Sequence, residues 1–420
     1  FKRNILLTVL HISIMKYNSI DNRDELDVVE SETLLSYEIN STTTPKPFNA
    51  WKFMAAFTVL AIIVLVAVSN TTYTKDNNSA ITSDKPSNTA STQLIAKGRV
   101  PFKLLNDDAK SVLFTEFESK YNKKYTSEQE RTERFSNFKE FLEEADSRNT
   151  AEDENGGTAI HGVTKFADLT HTEFSNLMLG YKPVLVYTQV EKESASVEEY
   201  AGSATLADWS KSLATAVKDQ GYCGSCWAFS ATEQIESDSI RLGLLSSSDT
   251  LSPQQIVSCD TTDYGCNGGN TETAYAYVMK AGGLESNSNY PYSSYYGTTG
   301  TCSSNASKNL VTVSKFHSIS GSTSTETETL MQSYVLSTGP LSVCLDASNW
   351  SSYTSGVLSS CGTVVDHCVQ ITGVDVSEGY WVVRNSWGTD WGVNGFIYVK
   401  LGSNTCRITY DPTYTTPSAV

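Results

Sequence analysis

The chain has 420 residues, 39% apolar and 19% charged, enough for two or three domains with cores of their own and too apolar for a wholly disordered polyelectrolyte. Acidic residues outnumber basic ones 47 to 31, for a formal net charge of -16, which argues against nucleic-acid binding, where a Lys/Arg surplus is the footprint. The nine cysteines all lie beyond residue 220; a clustered, odd set suggests three or four bridges plus at least one thiol left for chemistry.

The sequence opens on Phe1, and Met15 is the first plausible initiator. Residues 1–52 read as a polar tail with an acidic run, Asp21, Asp24, Glu25, Asp27, Glu30 and Glu32. Phe53–Val68 contains one polar residue, Thr58, and no charge follows until Lys75. With its uncharged flank, 53–74 reads as a transmembrane signal anchor, slightly short of the ~20 apolar residues a span needs. Cleavage after Ser69 is the rival reading. Glu30–Leu35 is similar to an acidic dileucine sorting signal. Residues 75–105, rich in Ser, Thr and Asn, read as a linker. Asn77, Asn305 and Asn349 each begin an N-glycosylation acceptor.

From 106 to 202 the pattern becomes helical. Val112, Leu113, Phe117 and Tyr121, then Phe135, Phe138, Phe141 and Leu142, recur at helical spacing, predicting two amphipathic helices broken near Lys124–Ser127. Glu130, Arg134, Phe138 and Asn149 stand at the spacing of the E-R-F-N-I-N signature, with Phe141 and Ala145 departing from it. Gly162, Phe166 and Asp168 fit G-N-F-D, with Thr164 in place of Asn. The segment resembles the prosegments of cathepsin L-like cysteine proteases. That resemblance implies a helical inhibitory prodomain over 106–202 whose trailing strand runs backwards along the active-site cleft. Maturation is expected within 191–206, a charged, Ser/Ala-rich stretch.

The stretch from Gln220 to Ser230 includes Cys223-Gly224-Ser225-Cys226-Trp227. A Cys-x-x-Cys pair is a redox couple, half of a zinc site, or a structural cysteine beside a nucleophile. Cys259 and Cys266 are too far apart to complete a zinc site, and no metal or cofactor is expected. The third reading requires a His and an Asn far downstream, met by Asp366-His367 and by Asn385-Ser386-Trp387-Gly388. His317, in a plain polar stretch, reads as a surface residue. Together with Gly265-Cys266-Asn267-Gly268-Gly269, these motifs make residues 203–420 resemble the papain family. The fold implied is α+β and two-lobed, a helical lobe (about 203–315) facing a β-barrel-like lobe (about 316–420). The activity implied is hydrolysis of protein and peptide substrates, with the chain's own prosegment as inhibitor.

The chemistry gives each residue a task. A thiol of pKa ~8.5 becomes a strong nucleophile only where the thiolate is favoured, beside an imidazolium and at a helix N-terminus. Cys226 is the expected nucleophile, at the start of a helix over 227–242 with Ala228, Phe229, Ile235 and Ile240 on its buried side. His367 supplies the imidazolium and later the proton for the leaving amine. Asn385 orients the ring, Trp387 shields that hydrogen bond, and Gln220 with the Cys226 N–H forms the oxyanion hole.

The resemblance further implies bridges Cys223–Cys266, Cys259–Cys302 and Cys361–Cys406. Cys344 and Cys368 remain, at positions lining the pocket for the second substrate side chain before the scissile bond. They are expected to face one another across that pocket, able to form a redox-sensitive bridge; the plain alternative is two small buried hydrophobes. Asp411 maps to the base of the same pocket, where an acid accompanies acceptance of Arg; the alternative is a surface carboxylate. Gly268 and Gly269 are expected to offer main-chain hydrogen bonds to substrate, with Asp366 beside them. The expected setting is an acidic lysosome-, vacuole- or endosome-like lumen, with a membrane-anchored precursor and secretion as the variant. The competing functional class is a catalytically silent papain-like binding or inhibitory module, and a thioredoxin-like oxidoreductase comes third.

Overall fold

The computed structural model describes residues 101–183, 192–195 and 197–420. The apolar stretch 53–74, the dileucine-like motif and Asn77 lie outside the described residues. No helix among those described is long and apolar enough to cross a membrane.

Helix α1 (Asp107–Lys120) begins where the Asn106 side chain accepts the Ala109 N–H, with Asp107 and Asp108 in its first turn. Helix α2 (Glu128–Glu154) is capped by Ser127, and Glu130 returns to the Thr126 N–H at 2.6 Å. The break predicted near 124–127 lies between the end of α1, closed by Tyr121, and the Ser127 cap of α2. Phe114, Phe117, Phe138, Phe141, Leu142 and Ala167 form one core. Phe141 and Ala145, the departures from the signature, are both buried, so the inward face stays apolar. Asn149 is also buried and clamps strand β1 (Ile160–His161), donating to the His161 carbonyl at 2.9 Å and accepting its N–H at 2.8 Å. Helix α3 (His171–Met178) starts in a Thr170–Glu173 capping box. Arg134 reaches across to Glu173 at 2.8 Å, and Asp168 takes Lys123 at 2.7 Å and the Tyr125 hydroxyl at 3.0 Å. These contacts lock the two signature regions into one unit.

Strands β2 (Lys192–Ser194) and β3 (Leu206–Asp208) precede the central helix α4 (Cys226–Arg241). The predicted one-sided burial of α4 is incomplete: every residue from Cys226 to Ser239 is buried, while Ile240 is only partly so. The polar positions sink because the helix packs against both lobes. Glu236 meets Lys218 at 2.6 Å, Glu233 meets the fully buried Arg384 at 3.5 Å, and Asp238 accepts the Thr415 N–H. Buried charges persist only when paired in this way.

Helices α5 (Pro253–Cys259) and α6 (Thr271–Ala281) complete the helical lobe. After strand β4 (Leu284–Glu285) come β5 (Asn309–Ser318), helix α7 (Ser324–Ser337), β6 (Leu341–Leu345), β7 (Tyr353–Ser355) and β8 (Val357–Leu358). The chain ends with β9 (His367–Asp375), β10 (Tyr380–Arg384), β11 (Phe396–Lys400) and β12 (Thr413–Ala419). The main sheet runs β2-β5-β12-β6-β9-β10-β11-β8, with β3 on β9 and β4 on β5. Residues 206–208 thus belong to the sheet rather than to the helical lobe, and β5 enters it before residue 316. His317, read as a surface residue, is half-buried, stacking on Tyr414 and bonding Thr416 at 2.9 Å.

The prosegment contributes to both cores. Phe166, Phe174 and Met178 join the barrel core around Trp387 and Trp350, whereas Tyr181 joins the helical core around Trp227 and Tyr275. One segment spans the groove between the lobes.

Candidate active site

Cys226 is the first residue of α4, where the helix's free N–H groups concentrate partial positive charge. His367 opens β9, and the lobes meet here because Gln220 N donates to the Ser386 carbonyl at 2.8 Å while Asp219 bridges Trp387. The backbone N–H groups of Cys368, Gly180 and Trp227 lie near enough to the Cys226 sulfur to favour its charged form. Thus the residue after His367 and a prosegment residue both approach the thiol.

His367 Nε2 lies 2.8 Å from Asn385 Oδ1. That oxygen also accepts the Ser386 N–H at 2.8 Å, fixing the amide's orientation, so Nε2 carries the proton and Nδ1 is the basic nitrogen. Nδ1 is buried with no hydrogen-bond partner among the described residues. The Trp387 ring lies 4.8 Å from the imidazole and Trp350 stands edge-on at 6.3 Å; together they close the ring off from water.

Gln220 is fully buried. Its Oε1 accepts the Ser386 hydroxyl at 2.7 Å, leaving Nε2 to donate to the Cys223 carbonyl at 2.9 Å and to the prosegment's Met178 carbonyl at 3.0 Å. The chain then continues over the thiol. Gly269 N donates to the Gly180 carbonyl at 2.8 Å, Lys182 N to the Gly269 carbonyl at 2.8 Å, and Tyr181 N to the Asp366 carbonyl at 2.9 Å. Tyr181 and Gly269 pair in parallel. A Cβ on Gly180 would collide with the Gly224 carbonyl, so only glycine lets this strand lie so close. Gly268 makes no such main-chain bond. Its φ of 111° and bare α-carbon leave room for the Gly180 carbonyl.

Tyr181 fills the apolar recess beside Cys344 and Cys368 and meets Tyr410 edge-on at 6.0 Å. Burial first, then a hydrogen bond with Tyr410 and the charges of Asp411 and Glu272, push its phenol far above the usual range. The charges of Asp411 and of Glu272 on α6 thus act on Tyr181, and sequence reasoning missed Glu272 because nothing in Asn270-Thr271-Glu272 marks it as more than a helix start.

Disulfides join Cys223 to Cys266, Cys259 to Cys302, Cys361 to Cys406, and Cys344 to Cys368, leaving Cys226 as the unbridged cysteine. The fourth bridge is the one anticipated between these two cysteines, but they do not face one another across a pocket. Cys344 and Cys368 are directly opposed on the neighbouring strands β6 and β9, with α-carbons 4.0 Å apart. Both therefore stand on one wall. Among the described residues no cluster of His, Cys, Asp or Glu fits a metal ion.

Burial pushes the Cys226 thiol up to about 11 against the pull of its N–H partners, and pushes His367 down to about 4 despite Asn385. With the prosegment seated, burial favours the neutral form of both the thiol and the imidazole. The blocking strand shuts out the water that would help stabilise an ionic couple, so burial works against charge on both groups until the strand leaves. Asp366 is raised to about 7 by burial, with the Ala347 N–H opposing and Asp346 reinforcing the shift.

Two prodomain residues without a sequence signal hold the barrel lobe. Glu152 accepts the N–H groups of Ser359 and Ser360 at 2.9 and 2.8 Å, and Arg148 donates to the hydroxyls of Ser351 and Ser352 at 2.9 and 2.7 Å.

A two-lobed fold with a thiol at a helix start, an imidazole–amide pair opposite and a helical segment through the groove defines a cysteine-protease precursor. Comparison with known proteins agrees. Residues 203–416 match the papain family cysteine protease domain, and residues 114–174 match the cathepsin propeptide inhibitor domain. Cysteine proteinase 1 of Dictyostelium discoideum is 37% identical over 317 residues, covering 70% of this chain and 89% of that protein. The viral cathepsin of Choristoneura fumiferana nuclear polyhedrosis virus is 35% identical, covering 70% and 88%. The structure of a digestive procathepsin L2 proteinase from the larval midgut of Tenebrio molitor superposes with a TM-score of 0.65 at 28% identity, covering 73% of this chain and 99% of that one. The chain belongs to the papain family of cysteine proteases, as a zymogen carrying its own cathepsin-type propeptide.

Proposed function

We propose that the processed protein is an endopeptidase in which Cys226 attacks the scissile carbonyl and His367 first takes the thiol proton through Nδ1, then returns it to the leaving amine. Asn385 holds the imidazole and Trp387 covers it. Gln220 Nε2 and the Cys226 N–H stabilise the tetrahedral oxyanion. Water then hydrolyses the thioester, with His367 as base. The observation that carries this reading is the seat of the Met178 carbonyl on Gln220 Nε2, a peptide oxygen held where the oxyanion would form. The test is labelling of the processed protein by an epoxide-type thiol inhibitor together with cleavage of an internal peptide bond. Both are expected to vanish in Cys226→Ala, and labelling that persists there would refute the assignment. The rival silent module is disfavoured because the thiol, imidazole, orienting amide and oxyanion donor are all filled.

The recess holding Tyr181 takes the second residue before the scissile bond. Its apolar wall suits aromatic and aliphatic side chains, and Asp411 with Glu272 extends the range to Arg. In Asp411→Ala, kcat/KM for an Arg-containing peptide is expected to fall relative to its Phe counterpart.

Activation follows acidification, since the prodomain is held by carboxylates that protonation would disarm. Residues 53–74 anchor the precursor, and the lumen is lysosome- or vacuole-like; the apolar run and the bridged cysteines support this reading.

A further inference from the structure

We propose that Asp219 and Asp390 form a binding site for a lysine or arginine side chain on the leaving-group side of the scissile bond, a site that the prosegment occupies in the precursor with Lys165. This inference rests on the peptidase reading above and adds to it a substrate class.

The prosegment passes Gln220 with its Met178 carbonyl, then the Cys226 sulfur with the Gly180 N–H, then Gly269 with Tyr181 and Lys182. The thiol therefore separates two ends of the groove. Gly269 and the Tyr181 recess mark the end for residues before the scissile bond, and Gln220 with Trp387 marks the end for residues after it. At that second end, Asp219 comes from the irregular segment just before Gln220, bridged to Trp387, and Asp390 from the loop after Trp387. They belong to opposite lobes.

Lys165 Nζ sits between them, 2.9 Å from Asp219 Oδ2 and 3.2 Å from Asp390 Oδ1, with its own side chain only 15% exposed. The three charged groups converge over the α-carbon of Gly388, whose φ of 74° and missing side chain leave the space; a Cβ there would lie 2.8 Å from Asp219 and 3.0 Å from Asp390. Asp219 is held in place independently of the lysine, since its Oδ1 accepts the Gly221 N–H at 2.9 Å and its backbone bridges Trp387. The seat is thus built from the peptidase domain, and the ammonium in it arrives on a segment that processing removes.

Once Lys165 departs, two carboxylates of like charge face one another across the groove. An incoming cation relieves that repulsion. Two partly exposed ion pairs of the ordinary kind make a combined preference of about tenfold, which weakens with salt because the groups stay near water.

The test uses the processed enzyme and internally quenched peptides identical up to the scissile bond, with Lys, Ala or Glu scanned through the three positions after it. At one position kcat/KM is expected to run about tenfold higher for Lys than for Ala, with Glu lower still. The Lys-to-Ala ratio should fall below twofold in Asp219→Asn/Asp390→Asn, and Asp390→Lys should shift the preference toward Glu. Because Asn keeps the acceptor for Gly221, loss of folding is separated from loss of charge, and the exposed Asp390→Asn gives an independent reading. Cleavage of all peptides with no preference for Lys, or a preference that survives the double substitution, overturns the inference while leaving the peptidase reading intact. Failure to cleave any peptide overturns both.

Discussion

The Met178 carbonyl of the prosegment lies 3.0 Å from Gln220 Nε2, so the donor assigned to the reaction's oxyanion is already engaged by an inhibitor of the same chain. One side chain thereby serves two states. Removing it should cost the processed enzyme rate and cost the precursor latency. In Gln220→Ala, kcat is expected to drop by about 10²–10³-fold, measured on a dipeptide amide, and the precursor should release its prosegment more readily in limited proteolysis. A variant with normal kcat would contradict the assignment.

Gly180 crosses the Gly224 carbonyl with no space for a methyl group. The Gly180→Ala precursor is expected to seat its strand poorly and to process itself several-fold faster. Measured processing half-lives check this, and an unchanged half-life would show that the strand is not what keeps the enzyme silent.

Glu173 gives the prodomain an acid-sensitive joint. Burial raises its carboxyl, but hydrogen bonds from Arg134 and Thr170 outweigh this and hold it below the usual carboxylate range. A group whose folded value is depressed stabilises above its unfolded value, ~4.3, and that stability is lost as pH falls through the folded value. Unfolding of the prodomain, followed by urea midpoint in a Cys226→Ala precursor, should therefore become easier as pH falls below about 4.3. Glu173→Gln should be less stable at pH 7 and flatter across that window; an identical pH slope would remove Glu173 as a sensor.

The Cys344–Cys368 bridge ties β6 to the strand that carries His367. Its loss in Cys344→Ala/Cys368→Ala is expected to destabilise the domain by about 2–4 kcal/mol, read from chemical denaturation. Because the bridge also walls the Tyr181 recess, KM for peptides with an aromatic second residue should rise alongside. A change in neither quantity would reduce the bridge to an incidental pairing.

Much of this arrangement is legible in the residues. Helical spacing marks α1 and α2 because their apolar stripe faces one small core. The nucleophile motif and its distant His and Asn are legible because the chemistry tolerates few residue types. The partners of Glu152, Arg148 and Lys165 are not. Each joins the prodomain to loops some two hundred residues away, or across two lobes, by hydrogen bonds that leave no periodic trace. Periodicity also fails for α4, whose charged residues are buried against Arg384, Lys218 and Thr415, partners that only the folded chain supplies. The burial of Cys226 and His367 depends on what covers the site, and no local motif encodes that.

The most direct measurement of the central claim is the pH dependence of Cys226 alkylation by iodoacetamide, in the precursor and in the processed enzyme. The buried precursor thiol, pushed up to about 11, should stay inert through neutral pH. In the processed enzyme, exposed to water and to a protonated His367, it should react rapidly down to about pH 4, and His367→Ala should abolish that acid reactivity. A processed enzyme whose thiol reacts only as pH approaches the ordinary ~8.5, with or without His367, would contradict the account.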